Sequence, residues 1–271
     1  MAEIIFKNKK IFYRAEGKGK AVILLHGFGE DGDVWQPQFE FLKKNYFVIV
    51  PDIPGSGRSQ MLEGACSLDD YAEVIKAIAE KELDIDSQNN PASFTLIGHS
   101  MGGYITLAFA KKYPDLLNSF GLFHSSAYPD NEEKIETRKK AIAFIKKNGA
   151  EAFLKTSVPD LFAKITQKER PELIEKLLKI ANRISGEALI QYYEAMIQRP
   201  DTTDVLREFS KPVLFLIGKQ DSVIPLQASL EQCHLPSISS IHILPKSGHV
   251  GMWEEVNLSN TYLANFLHAF A

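Results

Sequence analysis

The 271-residue chain contains two cysteines, Cys66 and Cys233, which are far apart and form no C-x-x-C pair. Two isolated cysteines cannot supply a disulfide framework, so packing within the core is their expected role. The chain also has no run of about 18 apolar residues and no basic leader followed by an apolar stretch. These absences argue against a secreted or membrane-spanning protein and predict a cytoplasmic location.

A large excess of charge of either sign is absent as well. Lysine and arginine total 31, aspartate and glutamate total 34, and the formal net charge is -3. Such a balance gives no positive field for nucleic acid or for an anionic membrane surface. The seven histidines include no H-E-x-x-H or similar ligand spacing, which argues against a metal site. We therefore expect neither nucleic acid, membrane nor metal among the partners of the chain.

The chain is rich in apolar residues, at 45%, and they fall in short runs between segments of helical period. After an opening hairpin over residues 4–13, buried strands are predicted at 21–25, 46–50, 94–97, 120–123, 213–217 and 241–244. Continuous apolar strands separated by amphipathic helices are typical of a parallel sheet with both faces covered. The pattern predicts an α/β fold with a mostly parallel sheet of about eight strands and ligands at their carboxyl ends.

The alternation of strand and helix stops after the sixth predicted strand. Between Tyr128 and Glu208 only helical periods occur, with helices predicted at 135–147, 173–184 and 188–197. The strand pattern returns at Val213. We therefore expect a helical cap at 128–208, inserted into an α/β core formed by residues 1–127 and 209–271.

The segment Gly98-His99-Ser100-Met101-Gly102 directly follows an apolar strand and directly precedes a helix-forming stretch. A G-x-S-x-G turn in that position is typical of a nucleophile elbow, because glycine permits the sharp bend that exposes the serine. The N-terminus of the following helix then faces the reacting centre. Ser100 is therefore the predicted nucleophile.

A serine hydroxyl is a poor nucleophile without a base, and the base needs a carboxylate that fixes its tautomer. In this fold class the acid follows a late strand and the histidine follows the last one. Asp221 and His249 occupy those two positions, so we predict Asp221 as the acid and His249 as the base. A turn-forming role is the alternative for Asp221. Glu254 and Glu255 are competing carboxylates, which we expect to begin or precede the last helix.

The loop His26-Gly27-Phe28-Gly29 follows the first central strand and can supply a second oxyanion donor. We predict the backbone N–H groups of Phe28 and Met101 as the oxyanion hole. A structural role is expected for the His26 side chain. The His99 side chain is expected to point away from the site if Ser100 occupies the tip of the elbow.

A dinucleotide site is an alternative interpretation of the same loop. Residues 27–32 match G-x-G-x-x-G after a strand, and Asp52 follows the next strand at the spacing of a ribose-binding acid. Against it, three acidic residues at 30, 31 and 33 would surround a pyrophosphate with negative charge. We interpret the Gly- and Pro-rich turn at 52–59 as a scaffold for the neighbouring loops.

Taken together, the elbow, the loop at 26–29, the turn at 52–59, Asp221 and His249 resemble the α/β-hydrolase superfamily over essentially the whole chain. The chain is most similar to the carboxylesterase and enol-lactonase-like branch with a helical cap. Haloalkane dehalogenases and soluble epoxide hydrolases of this fold carry an aspartate where this chain has Ser100. The resemblance therefore implies a serine hydrolase.

The predicted function is hydrolysis of a small or medium carboxylic ester, with water as second substrate and no cofactor or metal. Lactone opening, carbon–carbon bond hydrolysis and perhydrolysis use the same triad and stay open. A ligand-sensing protein with the hydrolase fold is the alternative of another class. We expect a monomer or homodimer.

The substrate cavity is expected between sheet and cap. The segment His124-Ser125-Ser126, where the chain leaves the strand for the cap, is expected to be a simple loop, with a polar contact in the cavity as the alternative. The predicted lining residues, each of which also suits a core position, are Trp35, Tyr128, Phe153, Phe162, Tyr192, Met196 and Val250, with Phe28, Leu161 and Tyr193 as further candidates.

Overall fold

The computed structural model describes residues 2–83 and 93–271. Within these ranges one sheet contains eight strands. They are β1 (Ala2–Phe6), β2 (Lys9–Glu16), β3 (Ala21–Leu25), β4 (Phe47–Pro51), β5 (Phe94–His99), β6 (Leu117–Phe123), β7 (Val213–Gly218) and β8 (Ser239–Leu244). Every residue of β3, β5 and β7 is buried, which explains their uninterrupted apolar sequences.

The strand order across the sheet is β1-β2-β4-β3-β5-β6-β7-β8. Strand β2 runs antiparallel to both of its neighbours, whereas the pairs from β4 across to β8 are parallel. Parallel strands end at the same edge of a sheet. The segments that leave β3, β5, β6, β7 and β8 therefore meet at one edge, where the predicted site residues lie.

Three α-helices connect β3 to β6 in the described part of the chain, α1 (Gln36–Leu42), α2 (Leu68–Glu82) and α3 (Met101–Lys112). A capping box begins α2, in which Ser67 Oγ accepts from the N–H of Asp70 and the Asp70 carboxylate accepts from the N–H of Ser67. Because α3 begins at Met101, its N-terminus directly follows Ser100.

The described chain between β6 and β7 forms helices and loops without a strand. The α-helices are α4 (Glu132–Asn148), α5 (Ala150–Ser157), α6 (Lys164–Glu169), α7 (Pro171–Ala181), α8 (Gly186–Ile197) and α9 (Thr203–Glu208). Asn131 caps α4 because its side chain accepts from the N–H of Lys134. The helical insertion after the sixth strand is thus present, and its division from the core as a separate domain stays a prediction.

The last part of the chain adds α10 (Leu226–Gln232), α11 (Gly251–Glu254) and α12 (Val256–Phe270). Helix α12 packs against α1, and α2 packs against α3. The predicted α/β architecture with a mostly parallel sheet of eight strands is confirmed. No helix among the described residues combines the length and the apolar character that crossing a bilayer requires.

Candidate active site

Ser100 lies at the turn between β5 and α3 in a backbone conformation that residues other than glycine rarely adopt, with φ at 51° and ψ at -117°. The N–H of Ser100 donates to Phe123 O at 3.0 Å. Ser125 Oγ donates to Ser100 O at 2.8 Å. Contacts from the end of β6 therefore hold the strained turn in place.

The glycines on either side of Ser100 are required by close backbone contacts. A Cβ added at Gly98 would lie 2.1 Å from Gly102 O. A Cβ added at Gly102 would lie 2.6 Å from the carbonyl oxygens of Leu25 and His26. Backbone atoms cannot move aside as a flexible side chain can, so the G-x-S-x-G pattern is a steric requirement of this turn.

The three predicted catalytic side chains lie within hydrogen-bond reach of one another. His249 Nε2 lies 2.8 Å from Ser100 Oγ, and His249 Nδ1 lies 2.8 Å from Asp221 Oδ2. An ionised carboxylate only accepts, so Asp221 accepts from the Nδ1–H of His249 and leaves Nε2 able to take a proton from Ser100. An arrangement of this kind can activate a serine as a nucleophile.

The Asp221 carboxylate is buried and has several partners besides His249. Its Oδ1 accepts from the N–H groups of Val223 at 2.8 Å and Ile224 at 3.0 Å. Burial alone would raise the pKa of Asp221, but the attraction of His249 lowers that pKa well below its usual range. Asp221 is therefore ionised at neutral pH and is an acceptor for His249.

His124 contacts Asp221, a role that the predicted loop at 124–126 did not suggest. Its Nδ1 lies 3.3 Å from Asp221 Oδ2 and accepts from the N–H of Gly218 at 3.0 Å. Burial lowers the pKa of His124 to about 4, so the ring is neutral. The signal that could have identified His124 is its position directly after β6, at the same sheet edge as Asp221.

Two backbone N–H groups beside Ser100 make no hydrogen bond to any residue in 2–83 or 93–271, those of Phe28 and Met101. Met101 is the first residue of α3, so its N–H has no partner within the helix. A Cβ added at Gly27 would lie 3.0 Å from Ser100 Cβ, so the loop that carries Phe28 passes directly beside the serine. Both predicted oxyanion donors are thus unpaired and close to Ser100.

A buried carboxylate and imidazole, Glu30 and His99, connect the oxyanion loop to the loop of the base. Glu30 Oε2 accepts from the N–H of Gly27 at 2.6 Å and lies 2.9 Å from His99 Nδ1. His99 Nε2 donates to the backbone carbonyl of His249 at 2.7 Å. The prediction that His99 points away from the site is therefore wrong, because the turn directs its side chain beneath the base.

Glu254 also holds the loop of the base. Its Oε1 accepts from the N–H of Gly248 at 2.8 Å and of Val250 at 3.3 Å, on either side of His249. Its Oε2 accepts from Ala163 N–H and Thr166 Oγ1, which belong to the insertion. The expected position before the last helix is confirmed, and the side chain links the loop of His249 to α6.

The side chains at 26 and 52 join loops to one another, as the scaffold interpretation predicts. His26 Nε2 accepts from the N–H of Ile53 at 2.9 Å. The Asp52 carboxylate accepts from the N–H groups of Gly32 at 2.8 Å and Arg58 at 2.9 Å. Because both of its oxygens are engaged by backbone, Asp52 is not available for the ribose contact that a dinucleotide site needs.

One cluster among the described residues brings potential metal ligands together, with ligand atoms of His124, Asp221 and His249 within 4.8 Å of one another. All three residues are buried. Each side chain already contacts another member of the cluster, and His124 Nδ1 also accepts from Gly218. We therefore interpret these groups as a compact polar cluster around the acid, in which His249 is hydrogen-bonded to Asp221.

A cavity of about 290 Å³ opens at Ser100 and His249. Its apolar walls are formed by Phe28, Leu154, Val158, Leu161, Tyr193 and Met196. Of the seven predicted lining residues, Met196 is on this wall, and the further candidates Phe28, Leu161 and Tyr193 are as well. The cavity lies between the sheet edge and the helical insertion, where a substrate would reach the serine.

The prediction of cavity lining is wrong for Trp35, Tyr128, Phe153, Phe162, Tyr192 and Val250, which do not line the cavity. Successive helical residues point about 100° apart, so on α8 the wall position goes to Tyr193 and its neighbour Tyr192 packs inward. The Tyr192 hydroxyl donates to Pro54 O at 2.8 Å.

The other five residues pack away from the cavity or into the core. Trp35 packs edge-on against Phe123, and Phe153 packs edge-on against Phe28 and Tyr193. Phe162 and Val250 are buried in the core, and Tyr128 N–H bonds to Ser126 Oγ.

A family model described as alpha/beta hydrolase fold matches residues 20–256 of this sequence. The chain belongs to the alpha/beta hydrolase family. The predicted resemblance is thus confirmed, and so is the fold predicted from it.

Proteins similar to this alpha/beta hydrolase are named for several different reactions. A putative carbamate hydrolase, RutD, of Agrobacterium fabrum is 27% identical and is matched over 94% of this chain and 95% of the relative. The 2-hydroxy-6-oxononadienedioate/2-hydroxy-6-oxononatrienedioate hydrolase of Escherichia coli K12 is 27% identical, with 96% and 92% covered. A solved structure of a thermophilic esterase from Thermogutta terrifontis, with malate bound, has a TM-score of 0.90 at 28% identity and covers 99% of this chain and 98% of that one.

Proposed function

We propose that the chain is a serine hydrolase that cleaves small or medium carboxylic esters through an acyl-enzyme on Ser100. The observation that carries this proposal is the continuous chain of hydrogen bonds from Ser100 through His249 to Asp221, at the wall of a cavity. The ionised Asp221 stabilises the cationic form of His249 that arises when the serine loses its proton. The similarity to the Thermogutta esterase supports an ester as the substrate.

In the first half of the reaction, His249 Nε2 removes the proton of Ser100 Oγ as that oxygen attacks the ester carbonyl. The carbonyl oxygen becomes an oxyanion, and the unpaired N–H groups of Phe28 and Met101 donate to it. When the tetrahedral intermediate collapses, the carbon–oxygen bond to the alcohol breaks. His249 gives its proton to the departing alkoxide, so an alcohol leaves and the acyl group stays on Ser100.

In the second half, His249 takes a proton from water, which attacks the acyl-enzyme at the same carbonyl carbon. The oxyanion forms again beside Phe28 and Met101. Collapse of this intermediate breaks the bond to Ser100 Oγ, and His249 returns its proton to the serine. The products are a carboxylic acid and an alcohol, and the free enzyme is regenerated.

Steady-state hydrolysis of p-nitrophenyl butyrate tests the proposal. We expect turnover by the wild type and a loss of about 1000-fold or more in Ser100→Ala, because the nucleophile and its base act as a unit. The matched control is Ser237→Ala, which removes an exposed serine of the α10–β8 connection and should leave turnover at the wild-type rate. Circular dichroism of each variant checks that it is folded.

The outcomes separate the proposal from its rivals. Equal turnover by wild type and Ser100→Ala would contradict the nucleophile assignment. A folded wild type that is inert toward esters, lactones, carbamates and diketones alike would favour a ligand-sensing protein. If the wild type opens a lactone or cleaves a diketone at least as fast as it hydrolyses matched esters, the triad stands and the ester is the wrong substrate class.

A further inference from the structure

An arginine from the helical insertion lines the cavity of Ser100. Arg138 is on α4, and its side chain is 11% exposed. Its Nε and Nη2 bind the Asp130 carboxylate at 2.5 Å and 3.3 Å. Its guanidinium carbon lies 5.5 Å from the centre of the Tyr193 ring, which is another wall of the cavity. A strongly cationic group therefore borders a cavity whose other walls are mostly apolar.

The single negative charge of Asp130 is shared by two arginines, Arg138 and Arg199. Arg199 Nη1 lies 3.0 Å from Asp130 Oδ1, and the Arg199 side chain is buried. Within residues 2–83 and 93–271, neither arginine forms an ion pair with another carboxylate. Two guanidinium groups thus share one carboxylate, which leaves one positive charge unmatched beside the cavity. A buried charge without a partner is costly, so an anion bound there would be stabilising.

Arg138 also has N–H donors that are not engaged by Asp130. Its Nη1 makes no hydrogen bond to any described residue, whereas Nε and Nη2 are engaged by Asp130. The acidic groups on the cavity wall do not compete for Nη1, because Glu30 pairs with His99 and Asp160 is a largely exposed partner of Lys164. A planar guanidinium with free N–H groups matches a carboxylate in shape and charge.

We propose that Arg138 binds a carboxylate of the substrate, so that the preferred esters carry an anionic group remote from the bond that is cleaved. This inference rests on the proposed ester hydrolysis at Ser100. The apolar walls formed by Phe28, Leu161 and Met196 then surround the chain between the ester and the carboxylate. The substrate class is a monoester of a dicarboxylic acid or an ester of similar polarity.

Two esters of equal chain length test the subsite, monoethyl adipate with a terminal carboxylate and ethyl hexanoate with a terminal methyl group. The quantity measured is the ratio of their kcat/KM values, followed by acid release in a pH-stat. We expect this ratio to fall about tenfold or more in Arg138→Gln, the loss expected for a charge-assisted hydrogen bond. Arg138→Lys, which keeps the charge without the planar fork, should have an intermediate ratio.

Lys140→Gln is the matched control, because it removes a positive charge from an exposed position of the same helix. Its ratio should stay at the wild-type value. Arg138→Gln keeps Asp130 paired with Arg199, so the variant is expected to fold. An unchanged ratio in Arg138→Gln would overturn the inference.

A binding measurement tests the subsite if the wild type hydrolyses neither ester. In that case ester hydrolysis fails as the proposed function, and calorimetric binding of adipate to Ser100→Ala decides whether the carboxylate subsite exists. Binding that is lost in Ser100→Ala/Arg138→Gln supports it, and equal or absent binding in both proteins overturns it.

Discussion

The carboxylate of Glu30 lies 2.9 Å from the imidazole Nδ1 of His99, and both side chains are about 1% exposed beneath the candidate active site. His99 Nε2 must donate to the carbonyl of His249, so a proton on Nδ1 as well makes the ring an imidazolium. Burial alone would raise the pKa of Glu30 and lower that of His99. The attraction between the two groups reverses both shifts, and the hydrogen bond from the N–H of Gly27 lowers the pKa of Glu30 further. Glu30 is therefore ionised, and His99 has a raised pKa.

This buried pair should be coupled strongly in stability. A double-mutant cycle of Glu30→Gln and His99→Gln, measured by chemical denaturation near pH 6, should give a coupling energy of about 2 kcal/mol. Either single variant leaves a buried charge or donor unpaired, whereas the double variant leaves two neutral amides. The pH lies below the unfolded value for histidine, so the raised pKa of His99 keeps the wild-type ring charged.

An exposed pair provides the comparison for this cycle. Lys111 Nζ lies 2.9 Å from Asp204 Oδ2, with both side chains about half exposed. The cycle of Lys111→Gln and Asp204→Asn should give a coupling energy below about 0.5 kcal/mol, because water screens the pair. A coupling for Glu30 and His99 as small as this would contradict the ion pair.

The fold and the triad could be predicted because each depends on order along the chain. Apolar runs marked the strands, and the requirement that parallel strands end at one edge brought Ser100, Asp221 and His249 together. The contacts of Glu30 and Glu254 could not be predicted, since each depends on which side chains meet across loops. The prediction of the residues that line the cavity failed for a related reason. Hydrophobic character alone does not indicate which face of a helix is directed toward the cavity.

The elbow glycines should tolerate no side chain. Gly98→Ala would place a Cβ 2.1 Å from the carbonyl oxygen of Gly102, and either the strand end or the helix start must shift. We expect ester hydrolysis to fall by about 100-fold, the effect of misplacing a reacting group by an ångström. The free energy of unfolding should fall by about 3 kcal/mol.

Gly186→Ala is the control for this steric argument. The added Cβ would lie 3.4 Å from Ile145 Cγ2, which is ordinary contact, and the site is the first residue of α8. Hydrolysis should stay at the wild-type rate, and stability should be unchanged or higher by up to about 1 kcal/mol. Full activity of Gly98→Ala would show that the elbow is less tightly packed than described.

His124 should make the fold sensitive to mild acid. Its pKa is about 4 in the folded chain, below the usual histidine value, so the unfolded chain binds more protons as pH falls. The stability from the neutral ring is fully present above about pH 6.5 and is lost as pH falls toward 4, by about 3 kcal/mol in total. Denaturation curves across this range measure the loss.

The variant His124→Asn isolates this contribution. Asparagine tolerates the positive φ of 50° at this position and removes the titrating ring. The variant should be less stable than the wild type at pH 7.5 and lose less stability on acidification. His268→Asn, at an exposed position of α12, should lose as much stability as the wild type when the pH is lowered. If His124→Asn loses as much stability at low pH as the wild type does, the acid sensitivity belongs to other groups.

Glu254 should control the position of the base. Its two oxygens accept from four donors, two in the loop of His249 and two in the helical insertion, so Glu254→Gln places an amide N–H against an N–H or O–H donor. We expect a loss of about 2 kcal/mol in stability and a fall in kcat that exceeds the change in KM. Glu255→Gln is the control, because a single oxygen of Glu255 accepts from Lys246 and Ser247. Equal effects of the two substitutions would mean that Glu254 has no special role.

Covalent labelling followed by intact-mass and peptide mass spectrometry tests most directly whether Ser100 is the activated nucleophile. We predict that a fluorophosphonate adds once to the wild type, on the peptide that contains Ser100, because His249 activates that hydroxyl. Labelling should be lost in Ser100→Ala and strongly slowed in His249→Gln. An adduct that persists in Ser100→Ala, or that maps to another serine in the wild type, would contradict the assignment of Ser100 as the nucleophile.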